Sequence, residues 1–172
     1  MEHLKYPIGK FQRPDSFDPA RLKEWIMEIR MLPEKLKIIL GEMTDAELDQ
    51  PYRPDGWTGR QVVHHMADSH LNAYIRFKWT LTEDTPTIKA YNEKAWAELP
   101  EAKSSPVDVS VALLESLHRR WSLMLENIGE ADWQKSYIHP EYGTHYPLYV
   151  VAALYAWHGN HHLGHLGLLI ED

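Results

Sequence analysis

The feature that most constrains this sequence is a histidine-rich run near its C-terminal end, from Trp157 to His165. Four histidines fall within eight residues, and they form two pairs, His158 with His162 and His161 with His165. On a helix, residues four positions apart lie on the same face about one turn from each other. Two imidazoles placed in this way can share a metal ion, so the run predicts a helical metal site.

The spacing of the surrounding residues favours one of the two pairs. Steps of four and three residues connect a seam typical of a bundle helix: Val151, Tyr155, His158, His162, His165 and Leu169. His158 and His162 lie on this seam, whereas His161 lies to one side of it. A single inward histidine is usually a hydrogen-bonded core residue, but two of them must find partners for both ring nitrogens in a dry core. We therefore predict His158 and His162 as ligands, with His165 as their neighbour.

Composition and charge exclude several classes of function. The 172 residues carry a net charge of −7 without a basic cluster, which argues against a nucleic-acid partner. The absence of cysteine excludes disulfides, thiolate ligands and a catalytic cysteine. We see no signal peptide and no apolar run long enough to cross a membrane, so we expect one cytoplasmic domain over residues 1–172 with no membrane partner.

Capping signals predict where the first two long helices begin. Asp18 and Pro19 are an N-cap and a first helical residue, and Pro33 is expected to kink or break the helix that follows. Thr58 and Gln61 form a capping box for a second helix, which we expect to run to about residue 82.

Two further helices follow a long polar connection, residues 83–105. Ser105 and Pro106 are predicted to cap the third helix, and Pro147 to begin the fourth. The connection is expected to cross the bundle or to form a lid, and residues 132–146 a short hairpin. The predicted fold class is all-α, an antiparallel four-helix bundle with long crossover connections.

The second and third helices carry further histidines. His64 faces away from the apolar stripe of the second helix, whereas His65 and His70 flank that stripe on opposite edges. No two of these three are four residues apart, so we expect one ligand from this helix, and periodicity does not choose between His65 and His70. On the third helix, His118 occupies an otherwise apolar seam, as a satisfied core residue or as part of the metal pocket.

Two ligands from one helix and one from another predict a three-histidine site. Neutral imidazole suits Zn²⁺, Ni²⁺, Cu²⁺ or Fe²⁺, and a site with three protein ligands keeps the open position of catalytic centres. A bound cation lowers the pKa of a water or thiol at that position. Asp68 follows His65 by three residues, either as a residue that orients a ligand or accepts a proton, or as a solvated aspartate.

Three segments of the sequence resemble YfiT-type proteins of the DinB superfamily: residues 6–11 (YPIGKF), residues 56–70 (GWTGRQVVHHMADSH) and residues 155–162 (YAWHGNHH). The similarity extends over nearly the whole chain. It implies a four-helix bundle, usually a homodimer, with one divalent ion per chain held by His65, His158 and His162. We expect Zn²⁺, with Ni²⁺ as the alternative. Many superfamily members follow the last histidine with Arg-Gly-Gln, where this chain has His165 in place of the glutamine, and we hypothesise that His165 takes over its role.

The resemblance implies an enzyme and leaves three functions to compare. The first is transfer of a low-molecular-weight thiol such as bacillithiol to an electrophile, for which the 83–104 segment would supply a polar pocket. The second is a metal-dependent hydrolase with Asp68 as a candidate base. The third is a binding module without turnover, in which His118 or His165 would close the site as a fourth ligand. The number of protein ligands therefore separates the third function from the other two.

Overall fold

A computed structural model of the chain describes residues 2–170. Its helices are α1 (Glu2–Lys5), α2 (Pro19–Gly41), α3 (Asp45–Leu48), α4 (Gly59–Thr82), α5 (Glu93–Ala97), α6 (Pro100–Ser104), α7 (Val107–Leu125) and α8 (Leu148–Gly167). A 3₁₀ turn spans Glu130–Gln134, and two strands, β1 (Ser136–His139) and β2 (Thr144–Pro147), form an antiparallel hairpin. No helix among the described residues is both long and apolar enough to span a bilayer.

The four long helices α2, α4, α7 and α8 form the predicted bundle. α2 packs against α7 and α8, and α4 packs against the same two helices, so α2 and α4 occupy opposite corners. The core between them is aromatic and aliphatic, with Phe77 and Trp121 fully buried. The prediction of an all-α four-helix bundle is confirmed.

Local capping explains the starts of two of these helices. The Asp18 side chain accepts the backbone N–H groups of the first turn of α2, and Pro19 follows as predicted. Thr58 and Gln61 form a reciprocal capping box at the start of α4, also as predicted. The prediction that Ser105 caps α7 is wrong by one residue, because Pro106 is the N-cap. The Ser105 carbonyl instead accepts hydrogen bonds from Arg60 and His64 of α4.

Pro33 does not break the first long helix, so the part of the prediction that concerns a break is wrong. α2 runs without interruption from Pro19 to Gly41, and Pro33 is buried within it. Proline has no N–H, so the carbonyl of Ile29, four residues earlier, lacks its usual partner in the helix. In this protein the Ile29 carbonyl accepts a hydrogen bond from the Nδ1 of His118 in α7. A contact from another helix thus replaces the hydrogen bond that the proline removes.

α8 approaches α2 closely at the histidine-rich run. A Cβ atom at Gly159 would lie 2.9 Å from both Leu32 methyl carbons, so glycine allows this close packing. Next to it, the Asn160 amide donates to Glu28 and its oxygen accepts from Lys35, both on α2. These contacts fix the rotation of α8 about its axis, which decides where the neighbouring imidazoles point.

Candidate metal centre

Three imidazoles from two helices converge on one point in the bundle. His158 Nε2 lies 3.3 Å from His65 Nε2 and 3.2 Å from His162 Nε2. His65 comes from α4, and His158 and His162 come from successive turns of α8. These are the three residues that the resemblance implied, and their donor atoms all lie within 4.8 Å of one another.

A second histidine group shares His162 with the first. His161, His162 and His165 also bring ligand atoms within 4.8 Å of one another. Here, however, both ring nitrogens of His165 have hydrogen-bond partners, since Nε2 faces the Lys5 carbonyl at 3.1 Å and Nδ1 faces His162 Nδ1 of the same group at 3.2 Å. Hydrogen bonds therefore account for His165 and for the Nδ1 of His162, whereas His161 Nδ1 has no partner among the described residues. In the first group the Nε2 atoms of His65 and His162 both face that of His158.

A chain of hydrogen bonds determines the tautomer of His158. His118 Nδ1 lies 2.5 Å from the Ile29 carbonyl oxygen, which can only accept a hydrogen bond. The proton of His118 is therefore on Nδ1, and its Nε2 is an acceptor. His70 Nδ1 donates to that atom at 2.9 Å, which leaves His70 Nε2 to accept from His158 Nδ1 at 3.0 Å. The proton of neutral His158 is therefore on Nδ1, and its Nε2 lone pair faces His65 and His162.

A shorter chain has the same consequence for His162. The Lys5 carbonyl accepts from His165 Nε2, so His165 Nδ1 is unprotonated and accepts from His162 Nδ1. The lone pair of His162 is then on Nε2. Both candidate ligands from α8 thus have their second nitrogen held by another histidine. For His162 that histidine is His165, which bonds to the Lys5 carbonyl, whereas for His158 the chain passes through His70 and His118 to the Ile29 carbonyl. Outer hydrogen bonds of this kind orient metal-bound imidazoles.

Burial keeps these imidazoles neutral, the form that binds metal. Desolvation lowers the pKa of His65 to about 4, with a smaller contribution from His165. It lowers the pKa of His158 and His162 well below the ordinary value, and neighbouring histidines add to the effect. Three neutral imidazoles, two of them with an unprotonated Nε2, fit a borderline cation such as Zn²⁺ or Ni²⁺.

Aromatic rings pack against His65 and against the histidines that neighbour the candidate ligands. The Trp57 ring lies 4.7 Å from that of His65, and the Tyr52 ring stacks on His165 at 3.9 Å between centroids. His161, the residue beside the seam, stacks on Trp157 at 4.4 Å. These contacts restrict ring rotation, so the imidazole positions are set by packing as well as by hydrogen bonds.

The other candidate residues lie around this centre without joining it. Asp68 is half-buried, and desolvation, followed by repulsion from Glu101, raises its pKa to about 6. Within residues 2–170, its carboxylate is not grouped with the three histidine donors. His64 is tied to Ser110 and to the Ser105 carbonyl. His118 is a hydrogen-bonded core histidine, which was one of the two alternatives predicted for it. It is connected to His158 through His70.

A cavity of about 720 Å³ opens beside His158. Its polar wall includes Ser69 and Arg76 of α4, His139 of the hairpin and residues 90–94 of the long connection. Sequence reasoning proposed a pocket from the 83–104 segment but missed Arg76 and His139, because neither belongs to a motif and their meeting depends on the tertiary fold.

Comparison with known proteins identifies the family of this chain. A model of the DinB superfamily matches residues 28–166. The chain belongs to the DinB superfamily. Among its superfamily relatives, a Bacillus licheniformis protein is 46% identical over 166 residues, 96% of this chain and 94% of that protein. A Bacillus mycoides protein is 48% identical over 171 residues, 99% and 98% of the two chains. Both are named "Putative metal-dependent hydrolase".

A solved DinB-type structure has the same fold. YfiT from Bacillus subtilis matches with a TM-score of 0.95 and 44% identity, covering 97% of this chain and 95% of that one. It is described as "a probable metal-dependent hydrolase with an unusual four-helix bundle topology". The family and fold implied by the sequence motifs are therefore confirmed, and the names of the relatives agree with a metal-dependent enzyme.

Proposed function

We propose that this DinB protein is an enzyme in which His65, His158 and His162 hold one divalent cation beside the cavity. The observation that carries the proposal is the convergence of three Nε2 atoms, two of which are unprotonated because of their hydrogen-bond chains. Within residues 2–170, no further histidine or acidic side chain joins this group, which leaves room for a reactant. A bound cation would supply Lewis acidity that stabilises an anionic nucleophile. Zn²⁺ is the cation we favour and Ni²⁺ the alternative.

Transfer of a low-molecular-weight thiol to an electrophile is the reaction we favour. Such a reaction forms a carbon–sulfur bond, breaks the bond to the leaving group and passes the thiol proton to a base. It needs a polar space for the body of the thiol, and a cavity of about 720 Å³ beside His158 offers one, with residues 90–94 on its wall. The role of the protein is to orient the two reactants and to restrict access of water. A bacillithiol-like compound is the proposed thiol.

Hydrolysis is the second candidate, and the printed names of the relatives favour it. It requires a base near the reacting water, with a pKa near the working pH. Asp68 has such a pKa, about 6, but does not line the cavity. Glu93 does line it, and desolvation raises its pKa, so it is the better placed of the two carboxylates.

The experiment compares three proteins loaded with Zn²⁺ or Ni²⁺: the wild type, His65→Ala, and His161→Ala as a matched control that removes a nearby imidazole. Each is assayed for conjugate formation between bacillithiol or cysteine and chlorodinitrobenzene, and for cleavage of nitrophenyl esters and anilides. Thiol transfer predicts conjugation by the wild type and His161→Ala only. Equal rates for all three proteins would refute a catalytic metal, and metal-dependent cleavage of esters or anilides without conjugation would replace transfer by hydrolysis.

A further inference from the structure

Arg76 is a buried cation without an acidic partner. The residue is only 7% exposed and lies on the wall of the cavity that His158 also lines. Among residues 2–170, no carboxylate oxygen lies within 4.0 Å of its nitrogens. Burial of a charge is costly unless an opposite charge or several hydrogen bonds compensate for it. The groups around the guanidinium therefore decide whether its positive charge is compensated within the protein.

The protein satisfies the Arg76 guanidinium only in part. One terminal nitrogen donates to the Lys89 carbonyl at 3.1 Å. The charge of Arg76 also acts on the hydroxyls of Tyr137 and Tyr155, whose pKa it tends to lower. The Nε atom is fully buried and has no partner among the described residues. Burial raises the pKa of both tyrosines, so their hydroxyls stay neutral and supply no negative charge.

His139, which lines the same cavity, has a second buried nitrogen without a partner among the described residues. Its Nδ1 is buried and, among residues 2–170, has no hydrogen-bond partner. Unpaired buried polar atoms are uncommon in folded proteins, and here two of them belong to residues that line one cavity, so this region calls for a polar partner. Glu93 and Glu141 also line this cavity, but neither has a carboxylate oxygen within 4.0 Å of an Arg76 nitrogen.

We propose that Arg76 and His139 form a subsite that binds a carboxylate group of the substrate. The planar guanidinium presents its Nε–H and a terminal N–H as a fork that matches the two oxygens of a carboxylate. His158 lines the same cavity, so the subsite lies next to the reacting centre if the proposed function is right. The role of the subsite in catalysis therefore rests on that proposed function. The substrate class is then a small molecule that carries a carboxylate apart from its reacting atom.

The test measures carboxylate binding to the metal-free protein, so that the anion cannot bind a cation instead. Protein labelled with ¹⁵N is titrated with succinate and, separately, with its uncharged analogue succinamide. The Arg76 Nε–H signal, assigned from its loss in Arg76→Gln, is expected to shift saturably with succinate only. Arg76→Gln is expected to bind succinate at least about tenfold more weakly. Arg119→Gln, which removes an exposed arginine, should bind as the wild type does.

Each outcome decides the proposal separately from the metal. If succinate does not move the Arg76 signal, or moves it no more than succinamide does, the subsite is refuted even if the metal-loaded protein is active. Saturable binding by Arg76 in a protein that shows no metal-dependent activity would keep the subsite and refute the proposed function. Tighter binding of inorganic phosphate than of succinate would overturn the assignment to carboxylates. If Arg76→Gln fails to fold, the wild-type titration and Arg76→Lys decide the question. Arg76→Lys keeps the charge but loses the planar fork, so it should bind succinate more weakly.

Discussion

The imidazoles of His70 and His118 are joined by one hydrogen bond, from Nδ1 of His70 to Nε2 of His118 at 2.9 Å. Neither residue faces the point where the three Nε2 atoms converge, and they come from different helices, α4 and α7. Together they connect the Ile29 carbonyl of α2 to His158 of α8. All four helices of the bundle thus contribute to the orientation of one ligand.

Replacing His118 by phenylalanine should weaken metal binding although the residue does not contact the site. The substitution removes the donor to Ile29 and the acceptor for His70, so the tautomer of His158 is no longer imposed. Loss of an outer hydrogen-bond partner typically lowers metal affinity about 10- to 100-fold. Competition with a chromophoric chelator measures the affinity.

The control for that variant is His64→Phe. His64 is also buried, and its hydrogen bonds to Ser110 and the Ser105 carbonyl do not reach the ligands. Both variants should be destabilised, but only His118→Phe should lose affinity. Equal affinities in the two variants would mean that the chain of hydrogen bonds has no influence on the metal.

The ligand set itself is tested by single substitutions. His158→Ala and His162→Ala should each abolish stoichiometric metal binding, because each removes one of the three converging Nε2 atoms. His161→Ala should retain the metal, since that ring stacks on Trp157 beside the centre. Elemental analysis of the purified variants measures the content. A metal-free His161 variant together with a loaded His158 variant would assign the ion to the second histidine group.

Pro33→Ala should stabilise the fold less than helix propensity suggests. Removing a proline from the interior of a helix is ordinarily worth about 3 kcal/mol. Here the new N–H of residue 33 would compete with His118 for the Ile29 carbonyl. We expect a smaller gain in urea unfolding and a severalfold loss of metal affinity. Pro19→Ala, at the first position of the same helix, should leave the affinity unchanged, and the hypothesis fails if Pro33→Ala does so as well.

The metal-free protein should lose stability as the pH falls from about 6.5 to about 4. Desolvation lowers the folded-state pKa of His65 and His118 to about 4, whereas in the unfolded chain both titrate near 6.5. In this window the unfolded state binds more protons, so the free energy of unfolding decreases as pH decreases. Urea unfolding at several pH values measures the slope. His118→Phe should reduce that slope, and an unchanged slope would show that His118 is not a source of it.

Sequence periodicity predicted candidate ligands best where they lie on a single helix. The seam through α8 singled out His158 and His162, and their Nε2 atoms do converge. It could not choose between His65 and His70, because both border the buried face of α4. The structure uses both, one beside the α8 ligands and one as a hydrogen-bond partner of His158. Which role each histidine takes depends on which helix packs against its edge of α4.

Contacts between segments that are distant in the chain could not be predicted from the sequence. The predicted break at Pro33 does not occur, and the sequence could not show why: a side chain from another helix donates to the carbonyl that the proline leaves unpaired. Arg76 and His139 were not singled out, since their shared cavity depends on where the hairpin lies against α4. Local signals such as the Thr58 capping box succeeded because all their partners are close in sequence.

The hydrogen bond between His165 Nε2 and the Lys5 carbonyl has a practical consequence for work with this protein. Because Lys5 belongs to the lead-in before the bundle, a purification tag that displaces residues 2–5 would leave His165 free to change its tautomer. His162 would then lose the acceptor for its Nδ1 proton. Affinity tags are therefore better attached after α8, and metal contents measured on proteins with N-terminal tags should be compared with those of tag-free protein.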